Sequence, residues 1–168
     1  MTITKKLIQD LVEAGYTLQK YVEDRPVRPE PGPPATAKEL ANLESYLSER
    51  KLPFPPSFRE FLTICNGLKD FEPNISLVSI KELMTPPHKS LLKGYPSLSR
   101  FMIGRGDTLE FIAFDPETVR DGEMEVVWVS DVGDESRDPD FSQLLRKRLA
   151  YFRRCIKREK ADRKGLKD

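Results

Sequence analysis

Histidine and cysteine, which often hold metals or act in catalysis, are scarce in this chain: there are one histidine and two cysteines in 168 residues. His88 has no second metal ligand nearby in the sequence, so we expect neither a metal site nor catalysis there. Cys65 and Cys155 fall on the apolar faces of predicted helices. This favours two reduced, buried thiols, although the sequence leaves a disulfide open. Acid–base catalysis needs convergent titratable groups, and since the sequence suggests none, we expect a protein without enzymatic activity or cofactor.

Long hydrophobic runs are also missing. Without a stretch of 18 apolar residues, no membrane-spanning helix is expected. Lys5 and Lys6 are not followed by the apolar core of a signal peptide, so we expect a cytoplasmic protein. Hydrophobic residues make up 38% of the chain and charged residues 33%, which is enough for a core and a well-solvated surface. The length suits one domain with an appendage.

A strong excess of one charge is absent as well, because the formal net charge is +1. This argues against a nucleic-acid binder driven by bulk charge. The charges are unevenly distributed, however: residues 107–140 hold 12 acidic and 2 basic residues, whereas residues 141–168 hold 3 acidic and 11 basic residues. These two blocks either pair internally or form two separate faces. The last predicted helix begins with acidic residues and ends with basic ones, which is the orientation that the helix dipole favours. This part of the charge distribution therefore needs no ligand to explain it.

The sharpest local pattern lies between residues 52 and 67. Two prolines before Ser57 exclude an earlier helix start, since proline is not tolerated in a helix interior. Ser57 followed by Glu60 fits a capping box, in which each side chain satisfies a backbone N–H at the helix start. Asn66 and Gly67 tolerate the left-handed conformation that ends a helix. The spacing predicts a short helix whose apolar face joins the core, formed by Phe58, Phe61, Leu62 and Cys65.

Prolines mark the one clear boundary in the chain. Five of them lie between residues 25 and 35 and predict an extended linker. We therefore expect an N-terminal helix (1–24), the linker (25–35), a main domain (36–160) and a basic tail (161–168). The apolar stripe of the N-terminal helix needs a partner surface. Its own domain is the favoured partner, and a homodimer contact is the alternative.

The pattern within the main domain predicts an α+β fold, with a mostly antiparallel sheet packed by helices. Its first helix opens with a capping box at Thr36 and Glu39. Strand, turn and helix signals follow in order: a strand at 71–80, a polar loop at 85–99, a hairpin at 100–115, a strand at 124–130, an acidic loop at 131–140 and a closing helix at 141–160.

This order of elements, and several motifs within it, resemble the SUKH superfamily over roughly residues 36–157. The superfamily includes a fungal cell-wall-synthesis regulator and killer-toxin-resistance proteins together with many bacterial proteins. The chain departs from the common pattern in its N-terminal helix, its proline linker and its long basic end. The matching pieces are Leu52-Pro53, the aromatic helix from Pro56 to Leu62, Asn66-Gly67, the strand and turn at 77–82, the Gly-Asp hairpin at 101–115 and the helix start at 141–145.

The resemblance implies a single SUKH-like domain that acts by binding, with no catalytic motif. Bacterial members resemble immunity proteins, which bind a cognate polymorphic or contact-delivered toxin and block it, and nucleases are common among these toxins. An acidic surface attracts a basic partner, and nuclease clefts are commonly basic because they hold phosphates. Our hypothesis is that the toxin-facing surface includes Asp115, Glu117, Asp121, Glu123, Asp131, Asp134, Glu135 and Asp138. The alternative is a set of solvated loops that only maintains solubility.

Two other functions remain open from the sequence. The first is an intracellular scaffold or regulator, as in the fungal branch, although the short chain lacks the long arms of those relatives. The second is weak nucleic-acid binding through the basic residues at 146–167. Few aromatic residues lie there for base stacking, so only weak, salt-sensitive binding is expected.

Overall fold

The computed structural model describes residues 2–72, 74–85, 101–107, 110–130, 132–133 and 135–165. His88 and the predicted loop at 85–99, apart from its first residue, lie outside these ranges. In chain order the elements are α1 (Lys5–Val22), β1 (Glu30–Pro31), α2 (Ala37–Glu49), α3 (Pro56–Ile64), β2 (Leu68–Glu72), β3 (Ile75–Leu77), α4 (Ile80–Leu83), β4 (Phe101–Gly106), β5 (Phe111–Phe114), a 3-10 turn (Pro116–Thr118), β6 (Val126–Val129), β7 (Glu135–Asp138) and α5 (Phe141–Gly165).

The strands form one antiparallel sheet in which each strand pairs with its neighbours in the chain, in the order β1 to β7. Short connections join β2 to β3, β4 to β5 and β6 to β7, whereas α2 and α3 lie between β1 and β2 in the chain. The predicted α+β fold, with an antiparallel sheet, packing helices and an extra N-terminal helix, is confirmed. No helix within the described ranges has the length and apolar character to cross a membrane.

The helix predicted from the proline-flanked stretch is α3, and its apolar face lies in the centre of the core. Phe58, Phe61 and Leu62 are each 0% exposed and Cys65 is 1% exposed. The Phe58 ring meets Phe114 of β5 at 5.3 Å and Phe141 of α5 at 5.1 Å, both edge to face. This aromatic cluster joins the sheet to the closing helix.

The capping box predicted at the start of α3 is wrong. The cap position is Pro55, which makes no side-chain hydrogen bond, because the helix already begins at Pro56. Ser57 bonds instead to Glu123, and Glu60 accepts a hydrogen bond from the backbone nitrogen of Ile3 at 2.8 Å. The capping box at Thr36 is confirmed.

The N-terminal helix α1 lies parallel to α5. Arg146 donates to the carbonyl oxygen of Thr2 at 2.7 Å, Arg153 to Asp10 at 3.0 Å, and Arg163 to the carbonyl oxygen of Tyr21 at 3.1 Å. The sequence separations of these pairs, 144, 143 and 142 residues, are nearly constant, as two parallel helices require. Most of the apolar stripe of α1 is therefore covered within the chain, by the surface that the sequence favours. Its buried members include Leu7, Ile8, Leu11 and Val12.

Several segments differ from their predicted structure. The predicted strand at 71–80 is two strands, β2 and β3, joined by a turn in which Asn74 has a φ of 64°. The predicted acidic loop at 131–140 contains strand β7. The proline segment contributes β1, which pairs with β2 at the edge of the sheet, where proline's missing N–H is tolerated. The closing helix continues to Gly165.

Candidate partner-binding surface

The acidic residues proposed as a partner surface lie at two ends of the sheet. Asp115, Glu117, Asp121 and Glu123 lie in the connection between β5 and β6, and Asp138 is paired with Val126 at the same end. We call this region, residues 115–125 together with Asp138, the β5–β6 end. Glu135 is paired with Val129, at the opposite end of strand β6. Asp131 and Asp134 lie outside the described residues.

Four of these carboxylates have partners inside the domain, and the fourth, Glu135, contacts Arg137 of its own strand. Asp115 is 7% exposed and accepts hydrogen bonds from Arg137 Nη1 at 2.9 Å and from the backbone nitrogen of Glu117 at 3.2 Å. Asp138 is also 7% exposed and forms an ion pair with Lys147 of α5. Glu123 accepts two hydrogen bonds from Ser57 at the start of α3. These groups hold the acidic segment against the rest of the domain.

Arg137, in the middle of β7, connects three carboxylates. Besides Asp115 it contacts Glu125 at 3.0 Å and Glu135 at 2.7 Å. Hydrogen bonds to Glu125, Asp115 and Glu135 hold the pKa of Arg137 above its usual value. One guanidinium thus links three carboxylates, Asp115, Glu125 and Glu135, into what we call the Arg137 cluster. Because Arg137 is 41% exposed, solvent screens these contacts, so they contribute little to stability and mainly fix the positions of the carboxylates.

Glu117 and Asp121 are exposed and carry the acidic character of the β5–β6 end to solvent. Asp121 and Gly122 have φ values of 52° and 80° and form a two-residue turn. Arg120 and Glu123 close this turn with two backbone hydrogen bonds of 2.9 Å. Positive φ at both central residues is the type I′ pattern, for which Asp-Gly is preferred. The turn leaves the Asp121 side chain exposed to solvent.

A buried glutamate between sheet and helix was not among the predicted site residues. Glu72, at the end of β2, is 14% exposed and lies 3.4 Å from Arg148 Nε. Burial raises the pKa of Glu72 to about 7; the charge of Arg148 opposes this rise, and that of Glu110 adds to it. Arg148 stacks on the Trp128 ring at 3.5 Å, and Trp128 Nε1 donates to Glu110 at 2.6 Å. No local sequence signal points to this network, since its members are far apart in the chain.

The two cysteine side chains are shielded from solvent. Cys65 and Cys155 are both free and buried. Desolvation raises the pKa of the Cys65 thiol to about 12, so the nucleophilic thiolate is strongly disfavoured. Within the described part of the chain, no three His, Cys, Asp or Glu side chains are grouped so that they could hold a metal ion.

A seven-stranded antiparallel sheet packed by helices defines this chain as a small α+β domain. The family model of the SMI1 / KNR4 family (SUKH-1) matches residues 34–147, and the chain belongs to this family. No curated protein and no solved structure matches the chain.

The match begins just before α2 and ends in the second turn of α5. It leaves out α1, β1 and most of α5. The two helical segments outside the match are the ones that pack side by side through Arg153 and Arg163. The helix pair is thus an addition to the part of the chain that matches the family model.

Proposed function

We propose that this protein binds a cognate toxin domain and neutralises it, as an immunity protein. It belongs to a family whose bacterial members resemble such proteins. The proposal includes that it acts by binding alone, without chemistry of its own, and that it works in the cytoplasm.

The observation that carries the proposal is the exposed acidic surface at the β5–β6 end. Glu117 and Asp121 are exposed there, and no ion pair joins either side chain to another described residue. A surface of this kind attracts a basic partner and accelerates its association.

The partner favoured by this charge is a toxin with a basic cleft, as in a nuclease that holds phosphates. Covering such a cleft with a carboxylate-bearing surface would compete with the nucleic acid for the same cationic side chains. Inhibition would therefore need no contact with the catalytic atoms of the toxin.

Co-expression tests this proposal directly. The toxin domain encoded beside the gene for this protein is expressed in a sensitive host, with and without the full chain, and growth is measured. The expected result is restored growth together with a stable complex of the two purified proteins. If the toxin kills equally in both cultures and the purified proteins do not associate, the proposal fails.

A further inference from the structure

A polar groove lies away from the β5–β6 end, among residues of β1 to β4 and the turns beside them. Its volume is about 500 Å³, within the usual range for ligand-binding pockets of about 300–1,000 Å³. Two stretches that carry the family resemblance, Asn66-Gly67 and Gly106-Asp107, are far apart in the sequence but line this one groove.

Glycines let the segments that form the groove approach each other closely. A Cβ at Gly32 would lie 2.5 Å from the carbonyl oxygen of Asn66, and one at Gly67 would lie 3.1 Å from that of Leu77. Gly67 also has a φ of 93°, which disfavours any other residue. The walls are thus built from close backbone contacts, and small or polar side chains occupy much of the remaining lining.

The lining of the groove holds four acidic and two basic side chains, which gives it a net charge of −2, and Lys69 lies opposite Glu30 in the β1–β2 pairing. Arg105 pairs with Glu82 at 3.3 Å. The carboxylates of Glu30, Asp70 and Asp107 form no hydrogen bond or ion pair with any other described residue, and only Lys69 adds an unpaired positive charge to the described lining. Unpaired groups on an open surface are fully available to a partner. The groove therefore complements a cationic occupant.

We propose that this groove docks an extended, basic segment of the partner protein, with an Arg or Lys side chain facing Glu30, Asp70 and Asp107. The inference rests on the proposed function only for the identity of that partner. The contact is separate from the β5–β6 end, so the toxin would be held at two places. The mixed polar lining fits an extended peptide with a charged side chain better than it fits an apolar helix.

Titration of the full chain with acetyl-Gly-Arg-Gly-Arg-Gly-amide tests the groove, followed by 1H–15N NMR shifts of backbone amides. The expected perturbations lie at Gly32, Gly67 and Gly106, and the peptide with Gln in place of Arg gives none. Neutralising the groove by Glu30→Gln, Asp70→Asn and Asp107→Asn should weaken binding roughly tenfold, the sum of three exposed ion pairs. Asparagine tolerates the left-handed backbone of residue 70, so the fold is retained.

The matched control is Asp24→Asn, Glu49→Gln and Asp162→Asn, which changes the net charge equally at exposed positions outside the groove. This control should leave the affinity within about twofold, since distant exposed charges are screened. Equal losses in both variants, absent perturbations, or perturbations centred elsewhere overturn the groove assignment.

The cognate toxin domain, titrated with the same variants, separates the two proposals. A toxin that binds the groove variant as tightly as it binds the unaltered chain removes the groove inference and leaves the proposed function intact. If the peptide binds in the groove but the toxin is neither bound nor blocked, the proposed function fails while the groove stands as a site for basic peptides.

Discussion

Glu123 and Ser57 are joined by two hydrogen bonds: the backbone nitrogen and Oγ of Ser57 each donate to the Glu123 carboxylate at 2.7 Å. The two residues are 66 positions apart in the chain. Because Ser57 lies in the first turn of α3, the carboxylate satisfies a backbone N–H that the helix itself cannot satisfy, and its negative charge suits the helix dipole. The acidic turn at Asp121 is thereby attached to the helix that carries the aromatic core.

Replacing Glu123 tests this attachment. Glu123→Ala leaves the Ser57 amide without its partner and should lower the free energy of unfolding by about 1–2 kcal/mol, the usual effect of losing a helix cap. Urea unfolding measures the change. Glu117→Ala, at an exposed position in the same connection, is the control and should have little effect. Equal stability of the two variants would show that the Ser57 contact contributes nothing.

Much of this fold follows from local pattern. The α3 face, the turn at Asp121-Gly122 and the Thr36 capping box depend on residues close in sequence, so their periodicity and turn chemistry identify them. Strand β7 escapes prediction because Glu135 to Asp138 contains no apolar residue. Charged side chains are common on an edge strand, where they discourage pairing with other chains, but in sequence they look like a solvated loop.

The candidate surface is less predictable than the fold. Composition locates the acidic block, yet the partners of its members depend on strand register. Asp115 meets Arg137 because β5, β6 and β7 are adjacent, and Asp138 meets Lys147 because α5 packs beside β7. Neither pairing has a local sequence signal. Because they are exposed, Glu117 and Asp121 are the best candidates for contacts with a partner.

Glu72 predicts a dependence of stability on pH. Its folded pKa is raised from 4.5 to about 7, so between these values the folded chain binds a proton that the unfolded chain has released. Stability should consequently fall as pH rises from about 4.5 to about 7. The urea midpoints of the unaltered chain and of Glu72→Gln, compared across this pH window, measure the effect. The variant should lack the fall in stability that is due to Glu72. A difference that stays constant across the window would contradict the raised pKa.

Replacing two glycines, one at a time, with alanine should change the stability of the protein in opposite directions. At Gly15, within α1, the atoms nearest to an added Cβ are Pro29 Cγ at 3.4 Å and Phe152 Cε2 at 3.5 Å, which are ordinary contacts. Gly15→Ala should therefore stabilise the protein by roughly 0.5–1 kcal/mol through helix propensity. Gly32→Ala should destabilise it, because the Cβ would meet the Asn66 carbonyl oxygen at 2.5 Å. Thermal unfolding of both variants measures the two changes in stability. A change in the same direction for both would contradict the packing described.

Packing of α1 makes the N-terminal helix part of the core. Leu11 is 1% exposed, so Leu11→Ala should cost about 2–5 kcal/mol, as for other buried leucines. Chemical denaturation gives the value, with Gln9→Ala on the exposed face of the same helix as control. A loss under about 1 kcal/mol would mean that α1 is only loosely attached.

The association rate of the purified protein with its cognate toxin domain tests the proposal that the β5–β6 end faces the toxin. Glu117→Lys together with Asp121→Lys is compared with Asp24→Lys together with Glu49→Lys, which produces the same net charge elsewhere on the surface. We expect the first variant to associate roughly tenfold more slowly at low salt, with a difference that shrinks as salt rises, and the second variant to associate at nearly the rate of the unaltered chain. Equal association rates for the two variants would contradict the proposal.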